Sequence, residues 1–141
     1  MEQENFNQEI EEALLGSILS NNMYLLKSPN LEAKHFYFDD YQKIFEEIIK
    51  RIGAGEVVDF RIISTFIKNN GIDTNVIKYL RMANSGIFDN EEYSNEIIRL
   101  WQIRELKKIL TLIISDKTSD FNAIKTKLEG DIADISINMS N

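Results

Sequence analysis

Residues 89–114, DNEEYSNEIIRLWQIRELKKILTLII, contain neither glycine nor proline and open on an Asp with a Glu three positions later. Asp89 can accept from a first-turn N–H and Glu92 can reach back, as in a capping box. The stretch therefore predicts one long helix. Its apolar residues, Ile97, Ile98, Leu100, Trp101, Ile103 and Leu106, are spread round most of the circumference. A single partner helix covers one stripe only, so a second contact is implied, and another subunit is its expected source.

The flanking segments narrow the architecture further. SDKTSD at 115–120 breaks the pattern, and FNAIKTKLEGDIADI resumes it with Phe121, Ile124, Leu128, Ile132 and Ile135 at helical spacing. The expectation is an antiparallel hairpin, its first helix over 89–118 and its second over 120–137. Upstream, YQKIFEEIIKRI places Tyr41, Ile44, Phe45, Ile48, Ile49 and Ile52 on one stripe with Lys43, Glu46, Glu47, Lys50 and Arg51 opposite. Ile10, Ala13, Leu14 and Ile18 share a face, as do Phe60, Ile63, Phe66 and Ile67, and then Val76, Ile77, Leu80 and Ala83. Ser28-Pro29 marks one helix ending and a short one starting. No segment alternates with a period of two, so no sheet is expected. The fold class is all-α: a compact bundle of short helices over 8–84, then the hairpin, with 1–7 and 138–141 as flexible ends.

Two glycines in KRIGAGEVVDF raise the question of a phosphate loop. A dinucleotide fingerprint needs a third glycine where Val58 stands and a strand before it, and no glycine of the six is followed by the Lys of a P-loop. The simpler reading is punctuation: Gly53 or Gly55 ends one helix in a left-handed conformation and Asp59 caps the next. Gly71 is a C-cap of the same kind.

Other chemistry is equally sparse. His35 is the only histidine and there is no cysteine, which removes multi-histidine metal sites, thiolate chemistry and disulfides. Flanked by Phe36, Tyr37 and Phe38, His35 is expected at a core edge. Asp39 and Asp40 read as cap and dipole partners of the following helix, and Glu9, Glu11 and Glu12 as a solvated first turn. Trp101, with Arg104 one turn on, is either core or a contact anchor. No catalytic constellation emerges.

Charge sets the partner class. A formal net charge of −7, with no basic run longer than Lys107-Lys108, disfavours direct DNA binding. No apolar run approaches the roughly 20 residues of a membrane span. The acidic opening MEQENFNQEIEE is unlike a signal peptide, so the expected location is cytoplasmic.

The order of these signals resembles the N-terminal domain of bacterial replicative DNA helicases of the DnaB type. EIEEALLGSIL is similar to that family's opening signature, with Ala13, Leu14, Leu15 and Gly16 in place. HFYFDDYQKIFEEI matches the next one at Phe36, Tyr37, Ile44 and Phe45. GEVVD at 55–59 is similar to Gly-x-Pro-Val-Asp, with Val57 for the proline, and Tyr79-Leu80, Tyr93 and Arg104-Glu105-Leu106 come next in family order. KLEGDIADI resembles the linker helix. Departures are Tyr41-Gln42 for His-Arg, Asn75-Val76 for Gly-Gly and His35-Phe36 at the acidic-Phe step.

The resemblance implies a collar domain that pairs with itself through its hairpins, as a trimer of dimers on a hexameric ring, and docks the C-terminal domain of primase, with a helicase loader as a further partner. On this reading the pairing face is Tyr93, Ile97, Trp101 and Arg104, and Leu128, Ile132 and Ile135 form the packing face of the linker helix. No cofactor belongs to this chain, which is no enzyme on its own; ATP and Mg belong to a motor domain absent from it. The rival expectation is a free-standing helical adaptor or inhibitor that binds a full-length helicase.

Overall fold

A computed structural model describes residues 5–83 and 89–137. Among them every regular element is helical: α1 (Gln8–Ser20), a 3-10 turn (Asn22–Lys27), a second 3-10 turn (Ala33–His35), α2 (Asp39–Gly53), α3 (Phe60–Asn69), α4 (Asn75–Ala83), α5 (Asn90–Ser115) and α6 (Phe121–Ile135).

The central helix is α1. Eight of its thirteen residues are buried, including Leu14, Leu15, Ile18 and Leu19, so it is covered on more sides than the single stripe the spacing predicts. Helices α2, α3, α4 and the first half of α5 pack around it. Tyr41, Ile44, Phe45 and Ile48 of α2, Ile63 and Ile67 of α3, Val76 and Leu80 of α4, and Ile97 and Ile98 of α5 join one continuous core. The bundle expected over 8–84 thus does not own its core: α5 contributes to it, and Ile137 beyond α6 packs against it as well.

The helix ends are set by local chemistry. Asn7, Asp59 and Asp120 each cap their helix by accepting from the N–H three residues on, at 3.1, 3.0 and 2.8 Å. Asp89 accepts from Glu91 and Glu92 at 2.9 and 3.2 Å, without a return bond from Glu92. The glycine punctuation resolves to Gly55, at φ 85°, while Gly53 stays helical. The Gly55 and Glu56 N–H groups close back onto the carbonyls of Ile52 and Arg51, a Schellman motif. Gly71, at φ 69°, serves α3 likewise: the Ile72 N–H reaches the Ile67 carbonyl, and both side chains enter the core. Asn22 then pins the returning chain, with its amide donating to the Val58 carbonyl at 2.7 Å and accepting from the Val58 N–H at 2.8 Å.

Several expectations are corrected. The N-cap of α2 is Phe38, with no side-chain capping bond; Asp39 and Asp40 lie in the first turn, where only their charge favours the helix dipole. Glu11 is not solvated but 2% exposed, and His35 lies wholly inside the core rather than at its edge. The N-terminal segment is not loose over 5–7: Phe6 stacks on Tyr37 with ring centroids 4.1 Å apart and planes 7° from parallel. Residues 1–4 and 138–141, also expected to be flexible, lie outside the described residues, as do Asn84 to Phe88 at the expected bundle boundary.

Candidate interaction surface on the helical hairpin

At 26 residues, α5 is far longer than the 9 to 15 residues of the other α-helices, and its second half outruns the bundle. That length divides its apolar residues into two groups. The first half, with Ile97, Ile98, Leu100 and Trp101, is buried in the chain's own fold. The second half presents Leu110 (42% exposed), Leu112 and Ile114 (80% exposed) to solvent. Phe121 at the start of α6 is 76% exposed.

The hairpin itself is antiparallel, as the Gln102 amide donates to the Ile135 carbonyl at 3.0 Å. Asp116 organises its turn by accepting from the N–H groups of Thr118 and Ser119 at 2.9 and 3.1 Å, and the Ser119 hydroxyl together with these bonds holds its carboxyl down at about 2. Beside α5 lie two open grooves that meet at Arg99. One, of about 250 Å³, is lined by Gln102, Ile103, Leu106, Ile132, Ile135 and Ser136. The other, of about 330 Å³, is lined by Ile10, Glu92, Tyr93, Asn95 and Glu96.

At the hairpin's root sits a polar cluster. The Arg104 guanidinium donates to the carbonyls of Asn5 (2.6 Å) and His35 (2.9 Å) and lies 5.3 Å from the Tyr37 ring centroid. His35 meets Trp101 edge-on at 4.7 Å, and its Nδ1 accepts from the Glu32 N–H at 2.9 Å. That bond leaves the ring proton on the buried Nε2, which has no partner among the described residues. Burial pushes the His35 pKa down to about 4. Glu11 accepts from the Tyr37 N–H at 3.0 Å, yet burial outweighs that bond and the nearby Arg104 charge and pushes its carboxyl up to about 7.

The expected pairing residues are therefore split. Ile97 and Trp101 are spent on the chain's own core, Arg104 is a half-buried bracket, and Tyr93 is half-buried on the wall of a groove. Ile132 and Ile135 do face Ile103 and Leu106 across the other groove, while Leu128 is half-buried outside it. The residues that sequence reasoning missed as surface are Leu110, Leu112, Ile114 and Phe121. The signal for them is the helix length: a stretch so much longer than its neighbours leaves its far half without a bundle to pack on. Among the described residues no cluster of His, Asp or Glu could hold a metal ion, and no helix is long and apolar enough to cross a membrane.

The sequence profile of a family described as "DnaB-like helicase N terminal domain" matches residues 3–99. The fold is similar to the crystal structure of the N-terminal domain of DnaB helicase from Mycobacterium tuberculosis, with a TM-score of 0.73 at 18% sequence identity, covering 94% of this chain and 99% of that one. At this identity the likeness is one of fold. No curated protein sequence matches.

Proposed function

The chain belongs to the DnaB-like helicase N-terminal domain family, and from that premise we propose that it acts as the collar domain of a replicative DNA helicase. Its hairpins pair with those of a second copy to help close the ring, and the assembled collar docks the C-terminal domain of primase. The chemistry of unwinding belongs to a motor domain outside these residues. The observation that supports this reading is the exposed apolar run of Leu110, Leu112, Ile114 and Phe121 on one protruding hairpin. Leu110 and Ile114 share one face of α5 at a four-residue step, and large apolar side chains left exposed together on one element favour association over an ordinary solvated face.

Sedimentation velocity tests it. The 141-residue chain sediments as a concentration-dependent dimer, and Ile114→Asp shifts it to monomer with unchanged helical circular dichroism. A chain that stays monomeric at every accessible concentration overturns the pairing reading. Titration with the C-terminal domain of primase tests the second part, binding being expected for the dimer and its absence removing the docking role.

A further inference from the structure

We propose that Asn70 is a spontaneous modification site, converted by water through a cyclic imide to aspartate and isoaspartate, and that the turn between α3 and α4 governs its rate by holding the reacting atoms apart. The inference stands independently of how the hairpin associates.

Asn70-Gly71 is the one step in the chain at which an asparagine precedes a glycine. The chemistry favours that pair. The Gly71 main-chain nitrogen attacks the Asn70 side-chain carbonyl carbon, and glycine, lacking a Cβ, leaves that nitrogen open to approach. A bond forms between the Gly71 nitrogen and Asn70 Cγ, the bond from Cγ to the side-chain nitrogen breaks, and ammonia leaves with the proton of the Gly71 N–H. Water then opens the five-membered imide. Cleavage at Cγ gives aspartate; cleavage at the Asn70 main-chain carbonyl carbon gives isoaspartate, in which the chain runs on through Cβ.

The surroundings admit water but oppose ring closure. Asn69, Asn70 and Gly71 are all exposed, and a Cβ placed on Gly71 would meet no atom within 4 Å. Asn70 stands at ψ 14°, which nearly eclipses its own nitrogen with that of Gly71. The substituents of a tetrahedral Cα are spread evenly about the Cα–C bond, so ψ must turn by about a third of a circle to bring Cγ to the Gly71 nitrogen. The side chain is held as well: its amide donates to the Phe66 carbonyl at 2.8 Å, the same carbonyl that accepts the Asn70 main-chain N–H at 3.1 Å. The rotation carries Gly71 and Ile72 with it. It breaks the 3.2 Å bond from the Ile72 N–H to the Ile67 carbonyl and draws Ile72, 5% exposed, out of the core. Reaction in the folded chain therefore passes through a local opening of the corner between α3 and α4, which is separate from global unfolding.

The products do not restore the corner. Both lose the amide that donates to Phe66, and both place a carboxylate at the C-terminus of α3, where the helix dipole is negative. Isoaspartate also adds an atom to the main chain between the Asn70 Cα and Gly71, which puts the Ile72 N–H out of register with Ile67.

Incubation of the 141-residue chain in mildly alkaline buffer, with peptide mass spectrometry at intervals, tests both parts. In urea that unfolds the chain, Asn70 is expected to lose ammonia before any other asparagine; in buffer it is expected to react at least about tenfold more slowly than in urea. Ile72→Ala loosens the corner and is expected to speed the reaction in buffer at least about fivefold while leaving the rate in urea unchanged. Ile97→Ala, a core truncation outside the turn, is expected to leave both rates alone. Circular dichroism checks that each variant is folded at the incubation temperature, and Ile72→Val replaces Ile72→Ala if that one is not. Equal rates in buffer and urea would mean that the turn restrains nothing. A rate in Ile97→Ala raised as far as in Ile72→Ala would place the reaction in the globally unfolded chain. If another asparagine reacts first in urea, or Asn70 stays intact in the folded chain, Asn70 is not the site.

Discussion

Arg104 and Asn5, separated by 99 residues in the chain, are joined by a 2.6 Å hydrogen bond from the guanidinium to the main-chain carbonyl. The same guanidinium holds the His35 carbonyl, so one side chain ties the N-terminal segment and the second 3-10 turn to the root of the hairpin. Phe6 completes the strap by stacking on Tyr37.

Replacing Arg104 by Ala should release that strap and lower unfolding free energy by about 2 kcal/mol, the scale of charge-assisted hydrogen bonds lost without replacement. Lys cannot bridge two carbonyls in a planar fork, so Arg104→Lys should recover less than half of the loss. Urea unfolding measures the first effect. Hydrogen exchange at Asn7 to Ile10 reads the loosening, and unchanged protection there would mean that the strap holds without the bracket.

Ile97 and Ile114 lie on one helix and should answer differently to the same substitution. Ile97 is 1% exposed, so Ile97→Asp buries an unpaired charge and should abolish the cooperative thermal transition at 37 °C. Ile97→Ala should cost about 2–5 kcal/mol by leaving a cavity. Ile114→Asp should leave the melting curve of the monomer almost unmoved. Thermal unfolding followed at 222 nm distinguishes the two sites.

Two buried groups give stability an unusual pH dependence. The Glu11 carboxyl is raised from 4.5 to about 7, so the folded chain holds a proton there that the unfolded chain has released; its contribution is complete below 4.5 and is lost as pH rises to about 7. His35 is lowered from 6.5 to about 4, so its contribution is complete above 6.5 and is lost as pH falls to about 4. Between 4.5 and 6.5 the slopes oppose each other and stability should be nearly flat. Glu11→Gln keeps an acceptor for the Tyr37 N–H but removes one slope. Its stability should rise across this window by up to about 1.4 kcal/mol per pH unit. Urea titrations at half-unit pH steps check this, and parallel curves for parent and variant would refute it.

Asn22 secures the chain between α2 and α3 to the end of α1 through both halves of its amide. Asn22→Ala leaves the Val58 N–H and carbonyl without these partners and should cost about 2–3 kcal/mol in urea unfolding. Asn22→Asp keeps the acceptor alone and should fall between the parent and the Ala variant.

Much of this arrangement is legible in the residues, for local reasons. The stripe from Tyr41 to Ile48, the caps at Asp59 and Asp89, and the turns at Gly55 and Gly71 each depend on chemistry within a few positions. The misreadings come from contacts made at a distance. Glu11 looks like its neighbours Glu9 and Glu12, and what gives its carboxyl a place inside is distant in the chain: the backbone N–H groups of Tyr37 and Phe38 and the charge of Arg104. Ile97 and Trp101 satisfy a helical pattern whichever surface covers them. The pattern states that α5 is apolar on most sides; how far the bundle reaches along it is set by the lengths of other helices. Asp39 has a capping residue's chemistry and the right neighbourhood, yet the helix begins one position too early for it to cap.

The continuity of α5 has a mechanical meaning. A helix of 26 residues spans about 39 Å at 1.5 Å per residue, and no glycine or proline interrupts it between Ile97, fixed in the core, and Ser115 at the tip. The segment is a lever with its fulcrum inside the bundle. From Trp101 to Ser115 the arm measures about 21 Å, so a rotation of the bundle by about 10° carries the tip sideways by about 4 Å. Whatever grips the tip therefore senses the orientation of the bundle directly, with no hinge in between to absorb the motion.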